Sequence, residues 1–375
     1  MKPMQKHEID IPFRILSAIA IVLVVAGHGN FHIFDLSGLF PYYSFHVALF
    51  AFISGYFYKP ACETQALQYI RKKFLHLMVP YFIWNLFYGI FALVLRRVGF
   101  YIGSDINLRT LLLEPFFTGH QFGLNSASWF VPVLFLLETV NLCLRVILKK
   151  LHLRNEWLIF SLCLFAGLCM VWLAAEGRVW GIYRIPGRIM FLLPVYQGGI
   201  LYRERLKCKD RLPHLTYFLF LLILQLALQA LSSGLAYSVV WCNGFLNGPI
   251  VPYLTVFTGI AFWLRIARIA APVWKPEGWT ERIGSHTYSI MLHHMTGFLL
   301  VNTVFYLISL LFPVFADFDV TAFFSDYTYC YLPGGQESFR WLFLAAGIGV
   351  PLLISVVEER LKADVKIKFL RLHKN

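Results

Sequence analysis

One stretch near the amino terminus, IPFRILSAIAIVLVVAGH from Ile11 to His28, constrains this chain more than any other. A hydrocarbon core of ~30 Å takes ~20 helical residues, so the run is long enough to cross a bilayer as a helix. At ~1.5 Å and ~100° per residue, Arg14 and His28 lie ~21 Å apart in depth and only ~40° apart around the helix. An ionisable side chain in lipid costs at least ~2.5 kcal/mol, so two of them on one face predict a protein-lined or water-filled cavity along it.

The rest of the chain has the same character. Of 375 residues, 58% are hydrophobic and 14% charged, and mean hydropathy is +0.64, values that a soluble domain with a polar surface rarely combines. Ten apolar runs long enough to span are centred near Ile21, Ala48, Leu86, Phe135, Leu164, Leu193, Phe220, Val256, Thr296 and Gly347. The expectation is an all-α polytopic membrane protein of about ten transmembrane helices, with residues 1–375 forming a single membrane-embedded domain. Cytoplasmic loops collect Lys and Arg. With the amino terminus inside, all but seven of the 33 Lys and Arg residues fall inside, the exceptions being Arg96, Arg97, Arg109, Arg178, Arg184, Arg188 and Arg340. Both termini are therefore expected to be cytoplasmic, with His28 near the outer face. The net charge of +13 is mostly this topology signal; its dispersal among loops argues against a nucleic-acid partner.

The seven cysteines form no CxxC and no metal-ligand spacing, and of those on the outer side only Cys242 and Cys330 are candidates for a disulfide. No metal is expected. The first run is too long for a signal-peptide core and lacks a small-residue cleavage site, so it is expected to be retained. Two outer loops are long. The first closes with GHQFGLNSAS before Trp129, and the second, about residues 312–339, carries Asp317, Asp319, Asp326 and Glu337 among many Phe and Tyr and holds no Lys or Arg before residue 340. Rings with carboxylates suit a sugar platform, with Asp317 and Asp319 as acceptor contacts; an interfacial aromatic belt has a similar composition. Ahead of the eighth apolar stretch lie Asn243, Gly244, Asn247, Gly248, Pro249 and Pro252. This is either a broken, re-entrant wall of the site or an outer loop followed by a helix from about Pro249.

Five patterns follow one another along the chain: RILSAIAIVLVVAGH (Arg14 to His28), FHVALFAFISGYFYK (Phe45 to Lys59), RKKFLHLMVPYFIWN (Arg71 to Asn85), SWFVPVLFL (Ser128 to Leu136) and IGSHTYSIMLHH (Ile283 to His294). In this order and spacing the chain resembles the acyltransferase 3 family, bacterial inner-membrane enzymes that mostly O-acetylate sugars and envelope glycans, and within it the fucose 4-O-acetylase-like branch. The resemblance implies that His28 matches the catalytic histidine closing the first helix. His46 matches the histidine before the family's PLF stretch, Ser54 and Gly55 its SG, Trp129 and Phe130 its WF, and His294 the histidine of its penultimate helix. The family's basic residue, ten residues before the histidine, is replaced here by Ser17. Arg14, one turn earlier, is placed to substitute.

The residue chemistry points the same way. O-acyl transfer needs a base for the acceptor hydroxyl proton, and histidine, with an ordinary pKa of ~6.5, is suited to that at neutral pH. His28 is the leading candidate, with His46 orienting it or the acceptor. Acetyl-CoA made in the cytoplasm would be held by Arg14 near the inner mouth, together with Ser17 or the basic cluster Arg71, Lys72 and Lys73, while its arm threads toward His28. Trp129 and His294 are expected to contact the acceptor, an envelope sugar or glycan; His293 and His294 point ~100° apart, so at most one is expected to face the interior. Each residue has a plainer reading. A histidine at a helix end is often interfacial, Arg14 suits a snorkelling anchor, and Trp129 suits packing. The competing functional class is a transporter or flippase of a lipid-linked sugar or small metabolite. It is disfavoured because no paired broken helices occur in the two halves.

Overall fold

The computed structural model of the chain describes residues 9–372. It is built from helices: α1 Ile11–His28, α2 His46–Tyr56, α3 Ala66–Lys73, α4 Val79–Arg97, α5 Glu114–Phe117, α6 Phe130–Lys150, α7 Glu156–Ala175, α8 Arg184–Leu201, α9 His214–Leu231, α10 Ile250–Ala270, α11 Trp279–Ser285, α12 Thr287–Leu311, α13 Val320–Ser325 and α14 Arg340–Leu372. Each apolar run of the sequence falls on one of them. Among the described residues, seven helical segments are long and apolar enough to cross a bilayer, and α2, α8 and α9 are not among them. The reasons differ. With 11 residues, α2 is only ~16 Å long. From Gly187 to Leu201, α8 is almost wholly enclosed by other helices, so it needs no lipid-compatible face and carries Arg184, Arg188, Pro194 and Gln197.

Hydrophobic on nearly every side, α1 is buried between two cores, as a helix without a polar face must be. Phe13, Leu16, Ala20 and Leu23 join a core with α2, α6, α7, α8 and α10. Ile21, Val24, Val25 and Ala26 join another with α4, α12, α14 and the 312–339 loop. The peripheral helices α4, α7 and α9 expose large apolar side chains, Ile83, Phe87, Phe165, Phe220 and Ile223 among them, as lipid-facing helices do.

The two ends of the bundle differ. At the end opposite His28, ion pairs accumulate: Arg14 with Glu281 at 3.2 Å, Lys207 with Asp10 at 3.0 Å, Arg145 with both Glu63 and Glu156, and Asp210 with Arg265 and Arg268. Basic residues the sequence assigns to loops are thus largely neutralised in place. At the His28 end the long loops meet: Tyr101 N–H donates to Phe324 O at 2.9 Å, and the Arg340 guanidinium donates to Gly29 O at 2.8 Å. The stretch 232–249 is irregular, and α10 starts at Ile250, with Pro249 as its cap. The plain reading of that segment as a loop holds, but the loop also walls the cavity described next.

Candidate active site

Because α2 is short, it leaves space above its first turn. Phe13 stacks on Tyr56 with ring centroids 3.5 Å apart, setting the antiparallel register of α1 and α2. His46, ten residues before Tyr56, then lies level with about residue 23 of α1, ~7 Å deeper than His28. The space between is a cavity of about 350 Å³. Val24, Val47, Phe50 and Met291 line its lower part, and Trp129, Phe130, Trp241 and Tyr327 enclose it higher up.

Three histidines line this cavity: His28, His46 and His120. His46 Nδ1 donates to Tyr42 O at 2.5 Å, which places its proton on Nδ1 and leaves Nε2 with a free lone pair. The His28 ring lies 4.9 Å from that of His294, centroid to centroid. His294 is fully buried behind it; its Nδ1 faces the carbonyls of Ile290 and Met291 at 2.9 and 3.1 Å, and its Nε2 has no partner. His294 therefore backs His28 and does not line the cavity.

His120, which sequence reasoning did not single out, stacks on Trp241 at 4.9 Å, and its Nδ1 donates to Thr118 O at 2.7 Å. Burial, helped by the charges of Arg188 and Arg184, brings its pKa down to about 4, so the ring is neutral at physiological pH. The only sequence signal was its place in the Gly-rich polar stretch GHQFGLNSAS. Among the described residues, no group of three His, Cys, Asp or Glu side chains is arranged to hold a metal ion.

Several expected placements need correction. His293 and His294 are both fully buried, since α12 is enclosed on opposite faces. His294 faces α1, while His293 lies against Trp84 and has its Nδ1 2.8 Å from the Tyr88 hydroxyl. Arg14 shares the face of α1 that carries His28 but does not line the histidine cavity, and its guanidinium is occupied by Glu281 and by Gly284 O at 3.1 Å. Ser17 Oγ turns back onto Phe13 O at 2.8 Å. Lys73 is paired with the buried Glu138 at 2.8 Å, whereas Arg71 and Lys72 are exposed. Asp317 and Asp319 are absent from the cavity wall. Asp319 caps α13 by accepting from Ala322 N–H, and Asp317 accepts from Tyr331 O–H, because each carboxylate is consumed in shaping its own loop. From that loop the cavity receives Tyr327 and Thr328 instead. Cys242 and Cys330 are free thiols, as are the other cysteines.

Trp129 has a second relationship: the Arg188 guanidinium lies 4.9 Å from its ring centroid. The tryptophan therefore separates a buried charge from the cavity.

Neither a curated protein nor a solved structure matches the chain. A family model does: the acyltransferase domain of the acyltransferase 3 family matches residues 13–357, nearly the whole chain, including every helix that contributes to the histidine cavity. The chain belongs to the acyltransferase 3 family of membrane acyltransferases.

Proposed function

We propose that the protein transfers an acetyl group from cytoplasmic acetyl-CoA to a hydroxyl of an envelope sugar or glycan, in a bacterial inner membrane, with His28 as the general base. The observation that carries this reading is His28 on the wall of a mostly apolar cavity, with His46 and His120 beside it and His294 behind it. In the proposed step His28 takes the acceptor hydroxyl proton as the oxygen attacks the thioester carbonyl. The C–O bond forms, the C–S bond breaks, and the departing CoA thiolate takes the proton back, giving an O-acetyl ester and free CoA. His46, held by Tyr42 with its Nε2 free, is suited to hydrogen-bond the acceptor or the attacking oxygen.

The donor phosphates would meet the opposite end of the bundle. Arg71 and Lys72 are among several exposed cations there, while Arg14 and Lys73 are already neutralised by carboxylates. The test is CoA release by the purified protein on addition of acetyl-CoA and sugar acceptors, with His28→Ala beside it. A general base contributes ~10²–10⁴-fold, so the variant should lose at least ~10²-fold in turnover while eluting and melting like the parent. Turnover within a few-fold of the parent would remove His28 from the role of base. Acceptor-dependent movement of a sugar across vesicles without CoA release would instead favour the transporter class.

A further inference from the structure

On the far side of the cavity wall lie two guanidinium groups with no counter-charge. Arg188 is fully buried. Its Nε and Nη2 donate to Val240 O at 2.9 and 2.5 Å, Nη2 also reaches Thr118 O at 3.4 Å, and Nη1 has no partner. Arg184, one turn earlier on α8, lies 4.9 Å from the Trp241 ring centroid, and its buried Nε is also unpartnered. Both tryptophans line the cavity, as does Val240. Among the described residues no carboxylate comes within 4 Å of either arginine. Four acidic groups of the neighbouring loops are committed elsewhere: Asp317 to Tyr331, Asp319 to Ala322 N–H, Asp326 to Thr328 and Glu337 to Arg340. No Asp or Glu lines the cavity.

An unpaired buried charge is costly, and the carbonyls of Val240 and Thr118 need no formal charge on their donor. A neutral amide would serve them with less desolvation. Cation–π contact with Trp129 offsets only part of the cost. The uncompensated remainder is a fixed positive field across a thin aromatic wall, in a low-dielectric cavity where it is weakly screened. The two arginines also stand against the general depletion of Lys and Arg in the segments at the His28 end of the bundle.

We propose that this field selects the acceptor: the sugar that enters the cavity carries an anionic oxygen group, a carboxylate or a phosphate, which settles against the Trp129, Val240 and Trp241 wall and supplies the counter-charge to Arg184 and Arg188. This deepens the acyl-transfer reading and rests on it. Arg188 acts through the wall as a specificity-determining residue, while His28 works on the hydroxyl.

The experiment compares three acceptors with the full-length protein in detergent: methyl glucoside, methyl glucuronide and glucose 6-phosphate, each at saturating acetyl-CoA. The expected result is a kcat/KM at least ~ten-fold higher for the glucuronide or the phosphate than for the neutral glucoside, carried mainly by KM. Which anion is favoured identifies the group. In Arg188→Gln and Arg184→Gln the preference should fall toward unity, and Arg188→Lys should restore part of it. Equal kcat/KM for all three in the parent, or a preference untouched in both Gln variants, overturns the proposal. Should no acceptor release CoA, the acyl-transfer reading fails separately. Thermal stabilisation of the parent by the anionic sugars but not by methyl glucoside, lost in Arg184→Gln, then still supports the anion site, and its absence refutes it. Arg184 is partly exposed, so its variant guards against misfolding of the fully buried Arg188→Gln.

Discussion

At the scale of single residues, the cavity is organised by where imidazole protons are held. Backbone carbonyls fix Nδ1–H on His46, His120 and His294. Each ring therefore presents Nε2 as an acceptor, and none needs to be charged to be ordered. For His120 this has a measurable consequence. Burial first, then Arg188 and Arg184, lower its pKa from the ordinary 6.5 to about 4 in the folded protein. Between those two pH values the unfolded chain binds more protons than the folded one, so stability falls as pH falls through that window and is unaffected above it. His120→Asn keeps a donor for Thr118 O and removes the titration. Its melting temperature should drop less than the parent's between pH 7 and pH 5, measured by thermal unfolding in detergent. Equal drops would show that protonation of His120 is not resisted by the fold. His28 was legible in the sequence because a histidine ending an apolar run is conspicuous. Arg188 was not, because the count that assigned it to the outer side says nothing about burial.

At the scale of elements, the site depends on a crossing of two helices at a distance only glycine allows. Gly55 of α2 packs on Tyr196 of α8, and Gly199 of α8 packs on Phe52 and Tyr56 of α2. A Cβ at Gly55 would overlap the Tyr196 carbonyl oxygen, a backbone atom that cannot turn aside. Gly55, read in the sequence only as part of a family match, thus has a packing reason. This crossing also sets the depth of His46, one face of α2 away. Gly55→Ala should push the helices apart, cost at least ~1–3 kcal/mol and lower both folded yield and acyl transfer. Gly349→Ala in α14 meets nothing within 4 Å, so relief of glycine's helix penalty should leave it neutral or up to ~1 kcal/mol more stable. Size-exclusion yield and thermal melting of the two variants check this, and a well-folded Gly55→Ala protein would show that α2 can slide without loss. The positions of the apolar runs were readable because each helix is continuous in hydropathy. The shortness of α2 and the enclosure of α8 were not, since they arise from which helix faces another helix and which faces lipid.

At the scale of the whole molecule, the two ends carry different electrostatics, and that difference argues for an orientation. Arg14, Arg145, Lys207, Arg265 and Arg268 sit with their carboxylates at the end opposite His28, where the sequence places the cytoplasm. At the His28 end, Arg96, Arg109 and Arg340 are likewise paired with Asp105, Glu114 and Glu337, whereas Arg184 and Arg188 stand without carboxylates against a cavity wall. Lys and Arg resist translocation, so the end that holds most of them is expected to stay inside. The carboxyl-terminal helix α14 runs from the His28 end, where Arg340 donates to Gly29 O, to the opposite one, where Glu359 lies 3.3 Å from His286, two residues beyond the Gly284 that meets Arg14. Accessibility tags after Gly99, which lies in the loop cluster at the His28 end, and after Asn375 should therefore report opposite sides, the first outside and the second inside. A tag after Ser233, in the loop that supplies Tyr237 and Trp241 to the cavity, should agree with the first. Were the Gly99 and Ser233 tags inside, the histidine cavity would face the cytoplasm, and an acceptor presented from the envelope could not reach it. Were they on different sides from each other, the placement of both loops at one end of the bundle would be wrong. Only tags at Gly99 and Ser233 outside with Asn375 inside are compatible with a donor and an acceptor that meet from opposite faces of the bilayer.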